Sequence, residues 1–173
     1  SHAVRKREAG CIHLDGFFSH PTAVYTVPYG VMVPRRIENL LFPVAVSGSH
    51  VGFSTLRMEP CWMALGEAAG EAAALAIDAR TDVRGIDIPE LQQRLLENGA
   101  VLVYLRDLQP GDPDYQTVQR LALKGYFPGW EARLDQPLDE AGARLWSSLS
   151  GQEITADGKT TRREWLRRLN PNP

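Results

Sequence analysis

The stretch from Cys61 to Arg80 holds eight alanines in twenty residues, and it constrains the fold more than any other part of the chain. Alanine is the best helix former, so this stretch reads as one long helix. Glu59-Pro60 just before it suits a first turn, where the missing proline N–H has no partner to lose. Gly66 and Gly70 interrupt the alanines, and two glycines inside a helix sacrifice about 1–2 kcal/mol of propensity. Met63, Gly66, Gly70, Ala73 and Ile77 fall on one stripe, so the gaps in the side-chain surface lie together. Such a stripe lets another backbone, or a flat ligand, come very close. Glu67, Glu71 and Asp78 occupy a different side and are expected to face water, which argues against a lipid setting for this glycine spacing.

Upstream the chain reads as strands and turns. Ser1 to Arg7 is basic and unpatterned, as a frayed end would be. Residues 10–16 alternate weakly between two glycines, as in a short strand. Val24-Tyr25-Thr26-Val27 is β-branched and aromatic, and Pro28 stops it. Leu40 to Val46 is hydrophobic without alternation, the pattern of a strand covered on both faces. Pro43 inside that run marks it as short, bulged or at an edge. Ser47 to Thr55 reads as a loop. Downstream, Asp87-Ile88-Pro89-Glu90 opens a helix to about Glu97, closed by Asn98-Gly99. Ala100 to Tyr104 reads as a strand, and 107–114 as a linker. Helices are expected from Asp112 to Lys124, from Leu138 to Leu149, and after the capping box Thr161–Glu164. The fold class that follows is α/β (mixed α+β), a partial two- or three-layer fold with a small, mostly helical C-terminal appendage. The expected domains are 1–105 and 106–173.

Composition excludes several functions. Nineteen basic residues against twenty-one acidic ones leave a net charge of −2, so no whole-chain field recruits nucleic acid. No run of eighteen apolar residues exists, which excludes a conventional membrane-spanning helix. Cys11 and Cys61 lack paired-ligand spacing, so no metal site is expected.

The chemistry-bearing stretch is Ser47 to Gly70, running from an apolar segment through small and polar residues into the glycine-gapped helix. Amide N–H groups at a helix start, at its positive dipole end, suit an anionic or electron-accepting ligand. His50 and Arg57 add a titratable donor and a fixed cation there. The same residues also suit a helix packed on a sheet, with His50 and Arg57 as surface groups or caps.

Residues 27–34 (VPYGVMVP), 39–44 (NLLFPV), 47–51 (SGSHV), 57–60 (RMEP) and 63–70 (MALGEAAG) together resemble the C-terminal part of the FAD-dependent oxidoreductase family. The opening Ser1-His2-Ala3-Val4 resembles a further family stretch. Phe42-Pro43-Val44 stands where many members have Ala-Gly-Arg, and this form resembles a branch labelled xanthan lyase-like. The resemblance implies FAD as cofactor in the complete protein, with hydride or electron transfer to a small-molecule substrate. It implies that Ser47, Gly48, Ser49, Ser54 and Thr55 lie along the flavin, with His50 and Arg57 as catalytic candidates. Met58, Pro60 and Gly66 would belong to the helix that meets the flavin edge. Tyr29 and His2 are further side chains to test for substrate contact.

A flavoprotein of this kind needs a Gly-x-Gly-x-x-Gly unit to hold the pyrophosphate, and no such pattern occurs in these 173 residues. The expectation is therefore a C-terminal flavin-capping piece, completed by an N-terminal FAD-binding region or subunit and inactive alone, so that the chain by itself binds FAD weakly or not at all. Exposed apolar surface would invite self-association. Neither nucleic acid nor membrane insertion is expected, and compartment stays unassigned. Residues 115–138 also resemble one S-layer homology repeat, which implies a rival reading: a non-catalytic interaction or cell-wall-binding module built on 112–149. Thr155 to Lys159 lacks the alternating acids of a calcium loop and reads as a turn.

Overall fold

A computed structural model describes residues 2–8, 11–18 and 23–169, the first two segments as backbone. The chain forms two compact units, Ser1–Leu91 and Gln92–Pro173.

In the first unit, β1 (His2–Glu8) pairs antiparallel with β2 (Cys11–Phe18), His2 opposite Phe18, with a slip in register between Val4 and Arg5. The expected frayed start is thus a strand, paired with the strand read from residues 10–16. A 3-10 turn, Tyr29–Met32, follows Pro28. Then come α1 (His50–Leu56) and α2 (Glu59–Asp78). Met32, Val46 and Leu65 form the buried centre, packed round by Leu41, Phe53, Leu56, Ala68 and Ala69.

The α/β expectation is corrected. Among the described residues the fold is helical, with six α-helices, and its one sheet is the two-stranded β1–β2 ribbon. Val24 to Val27 and Leu40 to Val46 form no strands. The apolar run at 40–46 is hydrophobic because Leu41 and Val46 pack on the core, not because a sheet covers it on both faces. Among the described residues, two main-chain bonds tie down this run and the residue after it. Phe42 N donates to Met32 O at 2.8 Å and Ser47 N to Val31 O at 2.7 Å. Pro43, lacking an N–H, sits where a ladder would need a donor.

A polar clamp holds the turn that precedes this run. The Arg84 guanidinium donates to the carbonyls of Pro34 and Ile37 at 2.5 and 2.7 Å. The Asp82 carboxylate accepts from Asn39 N at 3.1 Å and from Arg84 N at 2.7 Å. Those donors hold its carboxyl below the usual range, the Arg84 amide chief among them. Asn39 adopts a left-handed backbone, φ 51°, which asparagine tolerates better than most residues.

The division between units falls within α3 (Ile88–Glu97), which ends at Gly99 with φ 90°. The second unit carries α4 (Tyr115–Leu123), α5 (Glu140–Ser150) and α6 (Arg162–Leu169). Val118, Leu138, Trp146 and Leu166 are its innermost side chains. Asp139 caps α5 by accepting from Gly142 N at 2.8 Å. The capping box at α6 is reciprocal: Thr161 N donates to Glu164 at 2.8 Å, and Glu164 N donates to Thr161 Oγ1 at 3.2 Å. Ala100 to Tyr104 is not a strand. Gln119, 1% exposed, takes the place of a neighbouring strand. Its Oε1 accepts from Leu102 N at 3.0 Å and Val103 N at 2.8 Å, and its Nε2 donates to Val103 O at 2.7 Å.

Arg163 gathers three carboxylates, donating to Asp112 at 2.8 Å, Asp114 at 2.6 Å and Asp135 at 2.8 Å. Arg167 adds a bond to Asp114 at 2.9 Å. Hydrogen bonds from Arg163 hold Asp112 and Asp135 below the usual carboxylate range, and those from Arg167 chiefly do so for Asp114. A carboxylate with a depressed folded pKa contributes stability that is present above its unfolded value, about 3.9, and is lost as pH falls through the folded value. The urea midpoint followed by circular dichroism should therefore fall below about pH 4. Arg163→Met should lower stability at neutral pH and flatten that acid slope; an unchanged slope would remove this network as its source.

Candidate functional site

Ser47 to Thr55, expected as a loop, lies largely in a helix. Ser49 is its N-cap, its Oγ accepting from Gly52 N at 3.0 Å. Sequence offered the signal, a serine before a short amphipathic stretch, but Gly48 and Gly52 on either side of it masked the pattern. The hydroxyls of Ser54 and Thr55 turn back onto the helix, donating to Val51 O at 2.5 Å and Gly52 O at 3.0 Å. Three of the small polar residues assigned to a cofactor lip thus complete α1 itself. A side chain added at Gly48 would touch Phe53 and Leu56 at ordinary contact distance, so this turn packs closely on the helix it precedes.

His50 opens α1 and Arg57 is its C-cap, and both are exposed. Seven residues make two turns, so the two lie on one face, separated by about 10 Å along the axis. They flank the helix rather than converging on one atom. Arg57 makes no ion pair among the described residues.

Met58 separates the helices in an extended conformation and serves as N-cap of α2 without a side-chain oxygen to offer. Pro60 sits in the first turn, as expected. The first-turn amides of Glu59 and Cys61 therefore gain no acceptor from the cap side chain. The Trp62 indole N–H, in the same turn, is buried with no acceptor. An unmatched buried donor costs about 1–3 kcal/mol. Burial pushes the Cys61 thiol up, so it is not a poised thiolate.

The glycine stripe of α2 faces outward. Met63 and Ile77 are each 76% exposed, and a Cβ built on Gly66 or Gly70 meets nothing within 4 Å. The opposite face, with Leu65, Ala72, Leu75 and Ala76, is buried. Glu71, expected to face water, is half-buried, whereas Glu67 and Asp78 are exposed.

Tyr29 has a structural attachment, its hydroxyl donating to Val83 O at 2.8 Å. Burial, aided by the nearby Asp82 charge, pushes its phenol above the ordinary value. Ser1 and the side chains of His2 and Cys11 lie outside the described residues. Sequence reading missed Asp82 and Arg84, because their role depends on a turn more than forty residues away. Among the described residues no three histidine, cysteine or acidic side chains form a metal-binding group, and no helix is long and apolar enough to cross a membrane.

A site with donor groups at a helix start, beside a fixed cation, is the kind that meets an electron-rich ligand edge. A family model described as FAD dependent oxidoreductase matches residues 2–95, more than half of the chain, and the protein belongs to that family. No curated protein and no solved structure matches it.

Proposed function

We propose that this chain caps the flavin of an FAD-dependent oxidoreductase, and that a dinucleotide-binding region beyond these residues completes the site. One observation carries the reading: in a chain of this family, the first turn of α2 has amides unmatched by its cap, and Arg57 stands one residue before that cap. This donor set fits the acceptor-rich, partly negative edge of a flavin. FAD, when bound, supplies hydride or electron transfer. The chain's own part is to hold charge and orient. The α2 amides and Arg57 stabilise negative charge at the ligand edge, and His50 stands at the far end of α1 as a side chain able to exchange a proton with substrate. Ser47, Gly48, Met58, Pro60 and Gly66 shape the surface along which the ring lies. Ser49, Ser54 and Thr55 support that surface by holding α1 together. Phe42-Pro43-Val44 favours the xanthan lyase-like branch.

The test is flavin content and turnover of the native assembly containing this chain. Arg57→Ala should lower retained FAD by about tenfold, as loss of a charge-assisted contact does. His50→Ala should lower turnover more than flavin content. An assembly without flavin, or two variants that change neither readout, would end this reading.

A second reading keeps support from one observation in the other unit. A cleft of about 620 Å³ there is lined by Arg106, Trp130, Glu131, Arg133 and Arg162. The Arg106 guanidinium lies 5.1 Å from the centre of the Trp130 ring. A non-catalytic interaction or wall-binding module spanning 112–149 would use that surface. Sedimentation with cell-wall polymer, compared between the chain and Trp130→Ala, separates it from the flavin role.

A further inference from the structure

The first unit contains a second cleft, about 390 Å³, of which Met32, Arg35, Arg36, Ile37, Phe42 and Ser47 are lining residues. That volume falls within the range of small-molecule sites, about 300–1,000 Å³. Its floor is apolar and fixed: Met32 is 1% exposed, and the bonds from Phe42 N and Ser47 N hold the two sides of the cleft to each other. Its rim is fixed too. The carbonyls of Pro34 and Ile37, on either side of Arg35 and Arg36, are both gripped by Arg84. Two adjacent arginines are thereby displayed on a backbone that the fold has already ordered. Among the described residues neither makes an ion pair, and no carboxylate lines the cleft; Glu38, next along the chain, is not part of its wall. Both arginines line the same cleft, so it carries two positive charges and no lining negative one. Beside them, Ile37 and Phe42 expose apolar surface that polar ligands would leave uncovered.

We propose that this cleft binds a small organic acid, with its carboxylate on Arg35 and Arg36 and its apolar body against Met32, Ile37 and Phe42. The arginine fork matches carboxylate geometry, and the apolar floor selects acids with a hydrocarbon body over inorganic anions. Ser47 belongs both to this cleft and to the surface assigned to the flavin. The ligand's role as the oxidoreductase substrate rests on that flavin reading, whereas its binding does not.

The experiment is calorimetric titration of the full chain, without flavin, using hexanoate, hexanol and inorganic phosphate. Hexanoate should saturate, with hexanol and phosphate each weaker by about tenfold or more. The double variant Arg35→Ala/Arg36→Ala should lose about tenfold for hexanoate and nothing for hexanol. Phe42→Ala should weaken both organic probes, and Arg144→Ala, a surface charge in the other unit, should change none. The proposal is overturned by no saturable binding of hexanoate, by equal affinity for hexanoate and either other probe, or by a double variant that binds hexanoate like the parent. Such a failure would leave flavin retention in the native assembly untouched, so the two readings fail separately.

Discussion

Trp146→Ala should unfold the second unit. The side chain is 0% exposed, and its indole N–H donates to the Tyr126 carbonyl at 2.9 Å. Its ring lies 5.6 Å from that of Tyr126, tilted by 60°, and 5.8 Å from that of Phe127, edge-on at 84°. Truncating a buried tryptophan to alanine costs about 3–5 kcal/mol. The carbonyl left without a donor adds about 1–3 kcal/mol. A whole domain is stable by about 5–15 kcal/mol, with small ones at the lower end, so the loss takes most of what is available. Hydrogen exchange should show protection lost throughout Gln92–Pro173. Trp146→Phe keeps a ring but not the donor, and should fall between the parent and the alanine variant in urea. Retained protection in the alanine variant would mean that the aromatic turn at 125–130 and α5 are held by other contacts.

The second large effect has opposite signs in two measurements. Replacing Gly66 and Gly70 by leucine removes the poor helix formers from α2, and a Cβ at either site meets nothing within 4 Å. In the chain alone the double variant should therefore gain about 1–2 kcal/mol of stability. Under the proposed flavin-capping role, the face that carries Gly66 lies against the cofactor and the region that holds it. In the native assembly, leucines would hold that surface apart by several ångströms and should abolish flavin retention, with alanines intermediate. If the assembly keeps its flavin with both leucines present, the stripe is not a contact surface, and the glycines need another explanation. The exposed Met63 and Ile77 make a further expectation measurable. Left uncovered, that apolar stripe should promote self-association of the isolated chain, visible as concentration-dependent sedimentation, and Met63→Lys should suppress it.

Sequence alone revealed most of what depends on neighbours a few residues apart. The alanine helix, Pro60 in its first turn, the ends of α3 and the Thr161–Glu164 capping box all rest on local bonds, and all stand in the structure. What depends on distant partners was not legible. The apolar segment 40–46 looks the same to a reader whether a sheet covers it or whether Leu41 and Val46 pack against Leu65 and its neighbours on α2. The helical α1 was hidden because glycines flank its cap. At the site, the position of each candidate was readable, yet which groups are already engaged was not. Ser49, Ser54 and Thr55 spend their hydroxyls on α1, whereas Arg57 makes no ion pair among the described residues and the α2 cap offers no side-chain acceptor. The 107–114 stretch, rich in prolines and aspartates, reads as a tether, but Asp107 accepts from Ala132 N and Arg133 N at 2.8 and 2.7 Å and binds it into the second unit.

Gln119 has a consequence for how this protein can drift under mutation. One amide side chain grips residues 102 and 103 through their peptide groups, so that hold does not depend on their side chains, although Val103 also packs against the core. The main-chain anchor of that stretch is a single glutamine on another element. Glutamate at that position would keep the acceptor but forfeit the donor facing the Val103 carbonyl, so part of what this stretch requires is written on α4, and a mutational scan would find sensitivity there as well as at Val103.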